Sequence, residues 1–412
     1  MRLNAAIVVL LTSLVAATYG FGIYLFAQLV PDMQASLGFD FSYVGSITAS
    51  AQLGFLLFAL LAVWLTPKIG GGWMIVGSGA LCALALLLIP LSNNILVIGA
   101  LLTLLAGTAA TVFVPMVDVI ARVTAYRYRG LAMGLVSSGT SYGVAINSLL
   151  VPLYAAPGEW RSVWWWVGLI TVAMAVLVLV VFKKGGLLSA TVPPTVTPMT
   201  VELAVPSGRL ALIRPWILLI WSMNFLIGFA TFPFQTYLSS YLRTELGFDV
   251  QFSAQVWAVI GFVGMFAGLA VGWLSDRTGL RTAMLLVYSC VVTAALIFVI
   301  HPSGHWPLVA AALFSTAFYP IFGLIPAYVS KLASSSAMAV AIFGVANVMQ
   351  GSGGMLGNYG AGLLANYSGS FAGVYASICG VGVVLIMLTL KLPKEAPAAT
   401  PAGLGMNYPA AS

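Results

Sequence analysis

The stretch AVGWLSDRTGLRTAML, Ala270 to Leu285, sets Asp276, Arg277 and Arg281 within six residues of a chain in which only 6% of residues are charged. Long apolar runs flank it on both sides. An acid and two bases gathered between two such runs read as a short polar loop joining two buried helices. The rest of the chain fits that reading. It has 412 residues, 61% of them hydrophobic, and a mean hydropathy of +1.07, outside the range of soluble domains. At about 20 apolar residues per bilayer crossing, most of it must be transmembrane helix.

Apolar runs bounded by charges or Pro/Gly/Asn clusters predict twelve spans, at 5–30, 42–65, 73–90, 95–120, 131–153, 163–182, 214–239, 251–274, 282–300, 306–329, 337–362 and 369–391. The first run is too long for the hydrophobic region of a signal peptide and is read as a span. Residues 183–213 are rich in Pro and Thr and divide the chain into an N-terminal bundle (1–182) and a C-terminal bundle (214–391). The Pro/Ala-rich residues 392–412 are expected to form a disordered cytoplasmic tail.

Twelve spans put both termini on one side. Fourteen of the sixteen Lys and Arg then fall on that side, leaving only Arg161 and Arg243 opposite. By the positive-inside rule the termini, the central linker and the Asp276 loop are cytoplasmic. The halves also repeat. LGFD occurs at Leu37–Asp40 and at Leu246–Asp249, an offset of 246 − 37 = 209. The same offset maps Trp273, Leu274, Arg277 and Gly279 onto Trp64, Leu65, Lys68 and Gly70. Two markers at one spacing point to duplicated six-span halves, an all-α arrangement with a binding site between the repeats.

Gly272 to Arg281 closely resembles the G-x-L-x-D-R-x-G-R-[KR] signature of the major facilitator superfamily, here in its echo between spans eight and nine. In the first half Pro67 stands where the aspartate belongs. The resemblance implies two pseudo-symmetric six-helix bundles and alternating access. It makes Asp276, Arg277, Gly279 and Arg281 a latch between the halves in the outward-open state, with Arg129 at the start of span five, or the backbone N–H groups beside it, as the expected partner of Asp276 when the cytoplasmic side is closed. Arg127, Arg129, Leu131, Ala132, Gly134 and Gly139 are similar to the span-five pattern of monocarboxylate porters, and Gly20–Met33 to the first span of bacterial relatives of that branch. The acidic-glycine-aromatic signature of that branch in span one is absent, as is its Asp/Arg pair in span eight.

In the superfamily, spans 1, 4, 7 and 10 line the cavity. Those spans offer Tyr19, Tyr24, Gln28, Thr108, Thr111, Asn224, Gln235 and Tyr319 as substrate contacts; neighbouring spans add Gln52, Tyr142, Asn147, Asn347 and Gln350. Each serves equally as an interhelical hydrogen-bonding group, because polar groups in hydrocarbon must find partners. Asp118 is the one acid read inside a span. Arg122, four residues on, is its natural ion-pair partner, which makes the two a structural pair or cytoplasmic gate, with proton coupling as the other reading. Gly264, Gly268 and Gly272 share one helix face, and spans five and eleven are similarly rich in glycine; seams between bundles and packing within one explain these equally.

Other functions find little support. GTSYG (Gly139–Gly143) fits the nucleophile-elbow spacing, but it falls mid-membrane with no histidine near. His301 and His305 lie in an outer loop, and Cys82, Cys290 and Cys379 form neither a disulfide framework nor a metal spacing. No nucleic-acid patch, channel ring or enzyme site is found, and no cofactor is expected. The sequence therefore predicts a secondary transporter, not an enzyme, acting as a monomer in the inner membrane. It moves a small organic solute, a monocarboxylate or related acid by the resemblance, in symport with protons. A neutral metabolite and a proton-coupled drug exporter are the alternatives, since no Lys or Arg is available at mid-depth to bind an anion.

Overall fold

The computed structural model describes residues 2–125, 128–154, 159–188, 214–333 and 336–393. Residues 189–213 of the expected linker and nearly all of the expected tail lie outside them, as does Arg127 of the span-five pattern. The described residues are helical and contain no strand. We label the helices in chain order. α1 runs from Arg2–Val15 through a π-helical segment, Ala16–Tyr24, into Leu25–Leu37. α2 is Phe41–Ile69, α3 Gly71–Leu88, α4 Ile95–Val123, α5 Arg129–Tyr154 and α6 Trp160–Lys184. α7 is Pro215–Thr236, prolonged through Leu238–Ser240 and a π-helical turn, Tyr241–Glu245. α8 is Val250–Thr278, α9 Leu280–Ile300, α10 Trp306–Leu332, α11 Ser336–Ser368 and α12 Ala372–Lys391.

Among the described residues, ten of these helices are long and apolar enough to cross a membrane by themselves. α5 and α11 are long as well, but Gly, Ser, Asn and Gln dilute their hydropathy. Small residues at helix contacts let backbones approach in a medium without hydrophobic driving force. Both meet the opposite half of the chain, α5 through α8 and α11 through α2.

The repeat read from LGFD is a repeat of backbone geometry. Gly38 and Gly247, 209 residues apart, both take φ 71° and close α1 and α7 in the left-handed conformation, which costs glycine least. Asp40 then caps α2, accepting from the N–H groups of Ser42 and Tyr43; Asp249 caps α8, accepting from that of Phe252. At the far ends of those helices Gly70 (φ 88°) and Gly279 (φ 89°) turn the chain into α3 and α9. One turn before them Lys68 lies 3.2 Å over the Trp64 ring and Arg277 3.8 Å over that of Trp273. The packing repeats too. α2 lies against α4, α3 against α6 and α5 against α1; six helices on, α8 lies against α10, α9 against α12 and α11 against α7. Across the halves, α2 packs on α11 and α5 on α8, a symmetric pair of seams.

Several helices outrun their predicted spans, α7 to Glu245 and α11 to Ser368, and α1 does so furthest. The span predicted to end at Val30 continues to Leu37, with Pro31 inside the helix. Proline removes one backbone hydrogen bond, yet α1 runs on until Gly38 ends it. Asp32 therefore belongs to the helix, not to a loop.

Candidate functional site

The two seams are shut at one end and splayed at the other. At the shut end Phe41 of α2 packs edge-on against Phe371 at the start of α12, ring centroids 4.8 Å apart. The Tyr237 hydroxyl donates to the Asn358 carbonyl at 2.8 Å. A Cβ on Gly45 of α2 would lie 2.9 Å from that same carbonyl oxygen on α11, so these backbones meet directly. Midway, Gly261 of α8 lies beside Ser141 and Ala145 of α5, and Gly264 lies under the Tyr319 ring. Further along, no neighbouring atom comes within 4 Å of the Cβ positions of Gly134, Gly268, Gly272 or Gly344. The glycines thus divide. Gly264 serves the seam, whereas Gly139 and Gly143 pack on α1, and Gly353 and Gly357 on α7, within single bundles.

An ion pair fastens the shut end. Arg243, in the π-helical turn that prolongs α7, reaches Asp32 of α1 with both guanidinium nitrogens, at 2.5 and 2.7 Å. Asp32 is 6% exposed and is the one charged residue that is buried among the described residues. Removing Arg243 would leave Asp32 a buried charge without a partner, at a cost of about 3–5 kcal/mol.

From the splayed end a cavity of about 1280 Å³ reaches inward between the halves. Tyr19, Tyr24, Gln52, Tyr142, Gln235, Tyr319, Asn347 and Gln350 line it, together with Ser141, Asn358 and the rings of Phe55, Phe113, Phe232 and Phe318. Tyr19 is held edge-on between Phe55 and Phe113, at 6.1 and 6.0 Å. Asp276, at the mouth, is the one charged residue in the lining. Gln235 and Gln350 are 3% and 7% exposed, and the amide nitrogen of each lacks a hydrogen-bond partner, as does the Asn358 amide oxygen. Buried polar groups are ordinarily paired, which sets these three apart as hydrogen-bonding capacity left unused in the cavity wall.

Five expected contacts lie elsewhere. Thr108, Thr111 and Asn224 turn back onto the carbonyls of Leu105, Gly107 and Ile220 in their own helices. Asn147 donates to the Gly20 carbonyl in the π-helical part of α1, at 2.7 Å. Gln28 is 2% exposed, sits behind the cavity wall, and pairs neither its amide oxygen nor its nitrogen. Nor do spans 1, 4, 7 and 10 line the cavity alone, since α2, α5, α8 and α11 contribute as much of its wall.

The loop residues are placed as follows. Asp118 and Arg122 form the expected ion pair in α4. It lies off the cavity, next to Gly71 at the start of α3. Arg281 donates to the carbonyls of Thr389 (3.1 Å) and Leu390, closing the end of α12. Arg129 donates to the Ala121 carbonyl at 2.7 Å, within its own half. Asp276 is exposed at the mouth without a hydrogen bond or ion pair to any described residue, so the expected approach to Arg129 is not made with this end open. Sequence reasoning missed Asp32, Arg243, Ser141 and Asn358. The available signal for Asp32 was its register: Tyr24, Gln28 and Asp32 follow one another at four-residue steps on one helix face.

Two repeated helical bundles, a mainly apolar cavity at their seam with a few phenol, amide and hydroxyl groups and Asp276 at its mouth, one shut end and one open end describe a multi-pass membrane protein. The family model for the Major Facilitator Superfamily matches residues 12–358, and the chain belongs to that superfamily. The chain is 23% identical over 275 residues to a protein of Cupriavidus necator described as "Probable sulfoacetate transporter SauU"; the match spans 62% of this chain and 61% of that relative's length. Among solved structures, the nucleoside transporter NupG superposes with TM-score 0.73 at 15% identity, over 95% of this chain and 99% of that one. A bacterial homologue of the human lysosomal transporter Spinster, in an inward-facing and unoccupied conformation, superposes with TM-score 0.70 at 13% identity over 95% of each chain.

Proposed function

We propose that this chain is a secondary transporter of the inner membrane that carries a small polar organic solute by alternating access, with its termini and the open end of its cavity facing the cytosol. That orientation rests on the distribution of Lys and Arg, and a single chain, folded into two bundles about one cavity, is the transport unit. The carrying observation is the lining itself: phenols, amides and aromatic faces with no basic side chain. A desolvated carboxylate facing no cation costs several kcal/mol, whereas hydroxyl and carbonyl groups are well matched by the free amides of Gln235 and Gln350. The favoured solute therefore carries no net charge in the site.

A small organic acid, a monocarboxylate in the first instance, is the second reading. The likeness to a protein named for sulfoacetate transport supports it, as does the Arg129–Gly139 pattern of α5. Such an acid would be held by hydroxyl and amide donors, or would enter in its neutral form. Counterflow in proteoliposomes against a panel of neutral metabolites and organic acids, at two pH values, separates the readings. Exchange of a neutral compound but of no acid supports the first; exchange of acids alone overturns it. Absence of exchange by any member counts against both.

A further inference from the structure

We infer that Asn147 of α5 is a positioning residue for the solute site: it holds the π-helical segment of α1 in register and so places Tyr19 and Tyr24 together on the cavity wall. This rests on the reading of the cavity as the solute site, and adds to it a residue that the cavity does not touch.

Tyr19 and Tyr24 are five residues apart. In an α-helix, at about 3.6 residues per turn, such positions point roughly 140° apart. Hydrogen bonds that span five residues instead give them the relation that i and i+4 have in an α-helix, one above the other on one face. The π-helical segment Ala16–Tyr24 contains both, and both line the cavity. Beyond Tyr24 the helix returns to regular steps, through Gln28 to Asp32. The segment therefore joins Tyr19 to that polar stripe. A return to α-helical bonding would rotate at least one of the two tyrosines off the wall.

Asn147 meets this segment directly. Its side-chain nitrogen donates to the Gly20 carbonyl at 2.7 Å, and the residue is completely buried. A carbonyl drawn towards a side chain of a neighbouring helix turns away from the N–H four residues on, and a donor inserted into the ladder in this way makes a helix irregular. The approach is close because Gly20 and Gly143 leave no room for a Cβ between them, and Gly143 also abuts the Ala16 carbonyl. Packing by itself does not ask for an amide at position 147, since its oxygen is buried and unpaired, which costs free energy.

The second half solves the same contact differently. Gly353 and Gly357 of α11 abut the carbonyls of Phe225 and Phe229, which follow Ala16 and Gly20 by 209 residues. Gly357 stands four residues past Gly353, as Asn147 stands four past Gly143, so a bare glycine takes the place of the amide. α7 is regular helix there, within Pro215–Thr236. Its Pro233, at the position of Tyr24, has no N–H to offer the Phe229 carbonyl. Both halves thus loosen the same carbonyl. Among the described residues, the first half alone holds it with a side chain from the next helix, and there the bonding is π-helical.

The test uses the full chain in lipid, with Cys82, Cys290 and Cys379 replaced by Ser. A single cysteine is introduced by Tyr19→Cys, by Tyr24→Cys or, as a reference on another part of the wall, by Gln52→Cys, and its rate of reaction with a small hydrophilic methanethiosulfonate is measured. With Asn147 in place, each is expected to react. Asn147→Leu keeps the size and removes the donor. It should slow the reaction several-fold at one at least of the two tyrosine positions and leave the reference unchanged. Asn147→Ala, which removes the donor without bulk, gives the same reading if the leucine variant does not fold. Unchanged rates at both tyrosine positions overturn the inference, as does an equal slowing at all positions, which marks a role in stability alone. In proteoliposomes the same Asn147 variants, with both tyrosines present, should raise several-fold the half-saturating concentration of the panel solute that the wild type moves fastest, with the exchange rate at saturation near that of the wild type; an unchanged half-saturating concentration also overturns the inference. Should the wild type move no panel solute, the transport reading fails, and the cysteine rates still decide the role of Asn147.

Discussion

The Asp32 carboxylate and the Arg243 guanidinium, 211 residues apart in sequence, meet in a two-pronged ion pair at 2.5 and 2.7 Å that ties the first half of the molecule to the second. Arg243 lies in the π-helical turn of α7, and Asp32 in the regular helix that follows the π-helical segment of α1. Such segments mark places where helices change register at functional sites. Arg243→Ala strands a buried carboxylate and should destabilise the shut end by about 3–5 kcal/mol. The charge-swapped pair, Asp32→Arg with Arg243→Asp, should recover a good part of that loss. Thermal unfolding of the single and double variants in detergent checks the coupling; a double variant no more stable than the worse single one would show that the two groups act separately.

The α5–α8 seam predicts unlike effects for two glycines one turn apart. Gly264 already lies under Tyr319, with Ser141 Oγ 2.9 Å from its Cβ position. Gly264→Leu should therefore cost about 1–3 kcal/mol of stability by overpacking. Gly268 has no neighbour within 4 Å, so Gly268→Leu should leave stability unchanged while blocking closure of the open end. Thermal stability near that of the wild type combined with at least about tenfold slower exchange, some 1.4 kcal/mol on the barrier, is the expected pair of results for Gly268→Leu. Wild-type turnover would count against closure along this seam.

The unpaired amides of Gln235 and Gln350 predict a separation of stability from affinity. Replacing either by Leu removes a buried group that has no partner on its nitrogen, so stability should hold or rise slightly. Losing one hydrogen bond to the solute should weaken apparent affinity by about 1 kcal/mol, or roughly fivefold. Counterflow titrations on the two variants read this directly, and unchanged affinity in both would move the binding site away from these residues.

Asp118→Asn should be nearly silent. Its partner Arg122 lies in the same helix, both are partly exposed, and such pairs contribute at most about 1 kcal/mol. Undiminished exchange of the carried solute in proteoliposomes is expected; a loss of exchange would place Asp118 in the transport machinery.

The assigned sidedness is open to simple labelling. A cysteine at Ser303, in the loop between α9 and α10, should react with an impermeant maleimide added outside intact cells. One at Thr278, beside the Asp276 loop, should react only after lysis. The reverse pattern would invert the proposed topology.

The fold was readable because its signals are periodic and local. LGFD and the Trp-x-x-x-basic-x-Gly spacing return at the same offset, and each proves to be a cap, a turn or a ring contact with the same geometry in both halves. The cavity was readable only in part. Sequence gives the depth of a residue in a span but leaves open which way a short polar side chain turns. Thr108, Thr111 and Asn224 satisfy themselves on their own helices, while Gln235 and Gln350 face the cavity. Asp32 was hidden by Pro31, which reads as the end of a span until the helix is seen to pass through it. The expected meeting of Asp276 with Arg129 belongs to a state in which the open end is shut, a relation that no single conformation displays.

Reciprocal movement of the two ends is the claim on which the rest depends, and label distances measure it most directly. One pair, Tyr43→Cys with Tyr367→Cys, reports the shut end; another, Leu131→Cys with Leu269→Cys, reports the open end, where both native side chains are 71% exposed on the cavity. Breaking the bridge with Arg243→Ala should lengthen the first distance and shorten the second in the same population of molecules. Two distances that stay fixed, or that lengthen together, would contradict alternating access in this protein.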